Sequence, residues 1–433
     1  MKYLRIFLLC FLCLWAQAAS AFSVIRDTEI EETVLGWVKQ IFDAAGLASE
    51  NADIVLINDP SLNAFVAGGQ TIFIHTGLFM NAESIDDVMF VLSHETGHIV
   101  GGHITRGIAA MEKAQTATLI STILGGVLAV ASGRPDAGIA IMIGSQGSAL
   151  GQFMSYRQTE ESSADRTAVD VMKKLGYSMQ GFLNIMKNLK RLERLNSSDD
   201  EGYLRTHPFT QTRINDLNRF TKDAPDVKKD AQFDRIKAKL VGFMQKPADV
   251  IQRYKGNNFT DKYARAIALY RRHDFKDSFG LLDSLLKENP KDAYLHELRG
   301  QFAFEKGRAN EAVEHYSKAN QLKPHQPLIE ISLAQAYLEG KSKDNAQKAL
   351  DLLTTAVIKE PDIALAWRLM TTAYHRLGKE LEAEYAMVEY DRTSDHLKRA
   401  QKRAKDTLEK MNKSHPYYQR LQDIIALDKK QEK

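Results

Sequence analysis

The chain has 433 residues, room for two or three domains, and carries 58 Lys and Arg against 55 Asp and Glu for a formal net charge of +3. With charges so nearly balanced and no long single-sign block apart from a basic C-terminal stretch, the composition does not suggest nucleic-acid binding and gives a charge-driven membrane role little support. Both cysteines, Cys10 and Cys13, lie near the N-terminus, so a chain processed beyond them would have no disulfide and would hold a metal through His and carboxylate.

Residues 1–21 have the pattern of a secretory signal peptide. Lys2 and Arg5 precede an apolar run from Ile6 to Trp15, and Ala19-Ser20-Ala21 fits a cleavage site before Phe22. The run is short for a membrane-spanning helix. Val34, Leu35, Val38, Ile41, Phe42 and Ala45 recur at helical spacing between Thr28 and Gly46. Asp53 to Ile57 reads as a short strand, and Ala64 to Ala67 as another after the turn residues Asn58-Asp59-Pro60 and Asn63. Gly68-Gly69 then leads into a β-rich run from Gln70 to His75.

Ser84, with Asp87 three residues on, makes a capping box for a helix whose buried stripe is Ile85, Val88, Met89 and Leu92. That helix is expected to run to about Arg106. It contains His94-Glu95-Thr96-Gly97-His98, an HExxH motif. Positions four apart share a helix face, so His94 and His98 can present two imidazoles to one metal ion. Glu95 then stands beside the metal, where a carboxylate can take a proton from the attacking water and pass it to a leaving amine. Chance is the competing reading, since three fixed positions do recur in unrelated helices.

Two stretches of about twenty uncharged residues follow, on either side of the turn Gly133-Arg134-Pro135-Asp136. They read either as a membrane hairpin over residues 114–156 or, given their Ser, Thr, Gln and Gly content, as a buried or surface-attached helical hairpin. Residues 158 to 175 return to helix and end at Gly176, a C-cap glycine. On that helix Glu161 and Asp165 are four apart. A hydrolytic zinc site needs a third protein ligand and an open fourth position, and this spacing suits Glu161 as ligand with Asp165 accepting the outer N–H of a ligand histidine. Glu160 is the alternative register, without a carboxylate four residues on. His103 falls one residue short of the third histidine in HExxHxxGxxH, where Ile104 stands, so packing or capping near the helix end is expected of it, and a structural role likewise of His75. A helix from Met179 to about Leu195, a loop at 196–200, the turn Thr206-His207-Pro208-Phe209 and a helix from Gln211 to Phe220 complete the region.

The last third is repetitive. Pro290, Pro324 and Pro361 are spaced 34 and then 37 residues apart, each preceded by a small residue twelve positions earlier (Ser278, Ala312 and Ala349), and Gly307, Gly340 and Gly378 mark the turns within helix pairs. This is the tetratricopeptide pattern, about four helix pairs, whose stacking leaves a groove for peptides or partner chains. The expected organisation is therefore a signal peptide at 1–21, a metallopeptidase domain at 22–225, a helical connector at 226–260, repeats at 261–394 and a helical tail at 395–433.

Taken together, His94-Glu95-Thr96-Gly97-His98, Glu161-Ser162-Ser163-Ala164-Asp165, and His207-Pro208 with Arg213 resemble the HtpX-type zinc metallopeptidases, relatives of the CAAX prenyl endopeptidases. The signal peptide and repeats add a resemblance to the branch of that family found in the Gram-negative periplasm. The resemblance implies an α+β fold, a mostly helical gluzincin domain with a small sheet followed by an all-α solenoid. It implies one Zn2+ per chain on His94, His98 and Glu161, with Glu95 as general base. Asn63, Ala64 and Phe65, with the run from Gly68 to Ile74, resemble the edge strand that would hold an extended substrate by backbone pairing. His207 is either a fourth ligand that must move aside or the start of a helix. Arg213 either helps the oxyanion, fixes the His207 loop, or is a surface arginine. The implied substrates are misfolded or stalled outer-membrane β-barrel proteins, met at their assembly machinery through the repeats. A chaperone or assembly factor with a closed peptidase, and an integral membrane peptidase anchored by 114–156, stand beside that reading.

Overall fold

The computed structural model describes residues 23–67, 69–103, 106, 158–186, 207, 211–222 and 225–427. The signal-peptide reading of 1–21 and the hairpin reading of 114–156 lie outside the described residues. Two compact units emerge: one of residues up to Arg26 with Thr33–Phe233, the other of Asp27–Glu32 with Asp234 onward.

In the first unit four strands, β1 (Val24–Ile25), β2 (Asp53–Ile57), β3 (Ala64–Ala67) and β4 (Thr71–His75), form a sheet in the order β1-β2-β4-β3. β2 and β4 pair in parallel, and β3 folds back antiparallel on β4 as the outer strand. The β-rich run read between Gly68 and Ile74 is thus an inner strand, and the edge belongs to Ala64–Ala67. Ile72 and Ile74 point inward with no exposure, as the alternation of a half-buried strand requires. Helix α1 (Thr28–Ala45), whose first turn to Glu32 counts with the second unit, buries Val34, Val38, Ile41 and Phe42 as its apolar stripe.

A short helix α2 (Thr76–Asn81) leaves β4 directly and leads to α3 (Ile85–Val100). The Ser84–Asp87 capping box starts α3, and every residue from Ile85 to His98 is buried. A helix covered on all sides is a central core element, so whatever its polar residues hold is shielded from bulk water. Helix α4, residues 158–175, lies against α3, and residues 180–186 form a further helical turn pair, α5. Buried Asp86 accepts from the backbone N–H groups of Ser178 and Lys228, which ties the start of α3 to the chain beyond α4. Helix α6 (Gln211–Asn218) is the last of the unit's elements near the site.

The second unit is all helical. After α7 (Ala231–Met244) and α8 (Pro247–Arg253) come four antiparallel pairs: α9 (Phe259–Arg271) with α10 (Phe275–Glu288), α11 (Ala293–Glu305) with α12 (Ala309–Leu322), α13 (Pro327–Glu339) with α14 (Lys343–Lys359), and α15 (Ala364–Leu377) with α16 (Glu380–Thr393). The small residues stand where paired helices meet: Ser278, Ala312 and Ala349 have no exposure, and the Ser278 hydroxyl donates to the Ala266 carbonyl at 2.7 Å. Turns within pairs use a left-handed residue, Gly307 and Gly378 among them. The third pair differs because its turn is longer, and Ser342 caps α14 by accepting from the Asn345 N–H. Two closing helices, α17 (Leu397–Leu408) and α18 (Tyr418–Ala426), share the core of the last pairs through Ala400, Ala404, Leu421 and Ile424.

Candidate metal centre

Helix periodicity alone puts His94 and His98 on one face of α3, and α4 brings Glu161 to that face. The approach depends on Gly97. A β-carbon there would lie 2.7 Å from both the α-carbon and the carbonyl oxygen of Ala164, so any other residue would push α4 and its carboxylates off α3. His207 arrives from the stretch before α6, and all four side chains are buried or nearly so.

Their donor atoms converge. His94 Nε2 is 3.2 Å from His98 Nε2, 3.2 Å from His207 Nδ1 and 3.3 Å from Glu161 Oε2. His207 Nδ1 lies 3.1 Å from Glu161 Oε1, and His98 Nε2 lies 3.5 Å from the same oxygen. One proton on His94 Nε2 can serve only one of three neighbours, so hydrogen bonding alone does not account for the packing of three ring nitrogens around one point. The separations match the edge of a tetrahedron, about 3.3 Å for metal–ligand bonds of about 2.0–2.1 Å. Three nitrogens and a carboxylate oxygen fit a borderline cation, and among the described residues this is the one such group. The four donors therefore suit a divalent metal.

The electrostatics fit the same arrangement. Burial opposes a charge on His94, yet Asp165 and Glu161 hold its imidazole up to about 9. Burial and the neighbouring His94 and His207 push His98 down to about 2. Glu161 stays far below the ordinary carboxylate range despite its burial, held by His207 and His94. The pocket thus sets an ionised Glu161 against an uncharged His98 ring and a His94 ring that holds its proton, a place that a bound cation would take by displacing that proton.

Around the four lie the residues that orient them. Asp165 Oδ1 is 3.0 Å from His94 Nδ1, the carboxylate–histidine pairing that fixes which nitrogen faces the centre. Arg213 grips Asp165 through Nε and Nη2 at 2.7 and 2.8 Å, and its Nη1 lies 2.8 Å from Glu161 Oε2. It is buried, spanning the two carboxylates. Glu95, buried with its pKa pushed up by desolvation, sits 3.5 Å from His207 Nε2. Of the residues named from sequence, His94, Glu95, His98, Glu161, Asp165, His207 and Arg213 are brought together, and Glu160 is not among the converging donors. Asn63, Ala64 and Phe65 lie at the sheet edge, where Phe65 stacks on Phe73 with ring centroids 5.0 Å apart.

One expectation is corrected. α3 stops at Val100 rather than running to Arg106, because Gly101 closes it and Gly102 turns left-handed. His103 is folded back so that its Nδ1 is 2.9 Å from Nδ1 of His98. The adjacent glycines were the signal that a helix ends there.

Residues 25–221 match the family model described as Peptidase family M48, and residues 263–327 and 303–371 match two tetratricopeptide repeat models. Residues 25–221 thus carry a peptidase family M48 domain, with tetratricopeptide repeats C-terminal to it. Among known proteins it is similar to the "Beta-barrel assembly-enhancing protease" of Escherichia coli (strain K12), 26% identical over 329 residues that cover 73% of this chain and 66% of the relative. The similar span is thus just under two thirds of that relative's length. A "Putative beta-barrel assembly-enhancing protease" of Vibrio cholerae is 24% identical over 379 residues, 83% of this chain and 75% of that protein. More distantly, "Metalloendopeptidase OMA1, mitochondrial" of Bos taurus is 26% identical over 194 residues, 43% of this chain and 35% of that protein.

Proposed function

We propose that the chain is a zinc-dependent endopeptidase of the periplasm that cleaves misfolded or stalled outer-membrane β-barrel proteins and meets their assembly machinery through the repeats. The observation that carries this reading is the convergence of His94, His98, Glu161 and His207 beside the buried carboxylate of Glu95. The substrate class rests on the names of the relatives, and the exported location on residues 1–21.

His94, His98 and Glu161 would hold the zinc, which when bound would supply Lewis-acid chemistry at the scissile carbonyl and the attacking water. Glu95 takes the proton from the attacking water and gives it to the leaving amine, and desolvation, which raises its pKa, helps it hold the proton between the two transfers. Asp165 holds His94 in the productive tautomer, and Arg213 holds Asp165 and Glu161 in register. Asn63, Ala64 and Phe65 on the sheet edge would bind an extended segment by adding a strand.

His207 is the gate. Its Nδ1 takes the fourth position among the donors while its Nε2 faces Glu95, and a four-coordinate protein site leaves no place for water or substrate. Catalysis therefore requires His207 to withdraw. The same contact favours a second reading, an assembly factor whose peptidase stays shut.

Zinc content and casein proteolysis of the chain from residue 22 to 433 decide between them. One zinc per chain is expected, with cleavage raised in His207→Ala and lowered at least about 100-fold in Glu95→Gln with zinc retained. Cleavage by Glu95→Gln at the wild-type rate would mean another base. Bound zinc with no cleavage in any variant would favour the assembly factor.

A further inference from the structure

His98 faces two ways. Its Nε2 is the nitrogen turned toward the other donors, 3.2 Å from His94 Nε2 and 3.5 Å from Glu161 Oε1. Its Nδ1 is turned outward and meets Nδ1 of His103 at 2.9 Å. A ligand histidine must offer its lone pair at the metal-facing nitrogen, so its one proton sits on the other. Here that proton sits at a buried position, where an N–H without an acceptor costs about 1–3 kcal/mol.

We propose that His103 is the positioning residue of this centre: its Nδ1 accepts the Nδ1–H of His98 and thereby fixes both the tautomer and the ring plane of the second ligand. The inference rests on the metal-centre reading given above. His94 has a carboxylate, Asp165, for the same task. With Asp165 and Glu161 already present, an imidazole supplies an acceptor at His98 without adding a third negative charge.

The backbone is shaped for it. On an uninterrupted helix His103 would stand about 140° around the axis from His98, too far to face its outer nitrogen. Instead α3 ends at Val100, Gly102 takes φ +61°, and the chain folds the His103 ring back edge-on to His98, centroids 4.9 Å apart. Gly101 is the seat: a β-carbon there would lie 2.2 Å from His103 Nε2. Two glycines in succession, which weaken the end of a helix, are thus explained by what they admit. His103 itself is buried, with 4% exposure.

The test separates acceptance from packing. His103→Phe keeps a ring of similar size but no acceptor, whereas the side-chain oxygen of His103→Asn stands close to where Nδ1 was. Zinc affinity by chelator competition is expected to fall about 10–100-fold in His103→Phe and to be largely restored in His103→Asn. The visible bands of the Co2+-loaded protein should shift in the first and return in the second. Gly101→Ala, which leaves His103 but takes its seat, should copy His103→Phe and serves as the comparison with His103→Asn if the phenylalanine variant does not fold. Wild-type affinity and an unchanged cobalt spectrum in His103→Phe, or no recovery in His103→Asn, would overturn the proposal. Wild-type protein that takes up no zinc would instead overturn the metal-centre reading on which it rests.

Discussion

Arg213 touches two carboxylates at once, and that decides what it does. Two of its nitrogens bind Asp165 and a third binds Glu161, so each nitrogen of the fork is engaged in holding the two carboxylates in place. Such a planar, bidentate grip is beyond the single point charge of lysine. Arg213→Lys is therefore expected to weaken zinc binding about tenfold, in the range found when partners of metal ligands are altered. Equilibrium dialysis would read that change. If affinity is unchanged and only turnover falls, Arg213 serves the transition state instead. Sequence showed that an arginine followed His207 closely but not its task, because its partner Asp165 lies 48 residues earlier. Glu161 and Asp165 were legible for the opposite reason: they share one helix face, and that relation is local.

At the scale of elements, the centre is the meeting of α3 with α4. The HExxH spacing and the capping box could be read from periodicity, since both are properties of one helix. The end of α3 was misjudged because apolar spacing was carried past Gly101 and Gly102, where backbone freedom outweighs pattern. The mixed order of the sheet was also beyond reach, since the parallel pairing of β2 with β4 around an intervening β3 is a long-range choice. What periodicity does not reveal is how near α4 comes. Gly97 has backbone of Ala164 within 2.7 Å of its would-be β-carbon, and backbone cannot rotate aside. Gly97→Ala is expected to cost about 1–3 kcal/mol of stability and to weaken zinc binding by moving Glu161, although every ligand is still present. Pairing it with Ala164→Gly should not restore either, as the collision is with main chain. Calorimetry of the zinc-free variants would check the first effect, and restored stability in the double variant would place the collision elsewhere.

Over the whole molecule the repeats were the most legible part, because a period of 34 residues constrains every helix pair at once. The proline spacing and the small residues of the sequence became four pairs, Ser278, Ala312 and Ala349 being buried at their contacts. A periodicity argument is silent on charges buried within such a unit. Glu297 on α11 is one: Thr28 donates to its Oε1 at 3.2 Å, and its other oxygen has no hydrogen-bond partner among the described residues. Burial pushes this carboxyl up to about 8 from an ordinary value of 4.5, against the pull of Lys239. The folded state thus binds a proton that the unfolded chain releases at lower pH. The stability it adds is complete below about pH 4.5 and is lost as pH climbs through about 8. Glu297→Gln keeps the shape of the protonated acid and cannot ionise. Thermal unfolding followed between pH 5 and 9 should therefore show the wild type losing several degrees more than the variant across that window, with the curves meeting on the acid side. Parallel curves would mean that Lys239 and its neighbours compensate the carboxylate fully, and that the buried ionic cluster tolerates its charge.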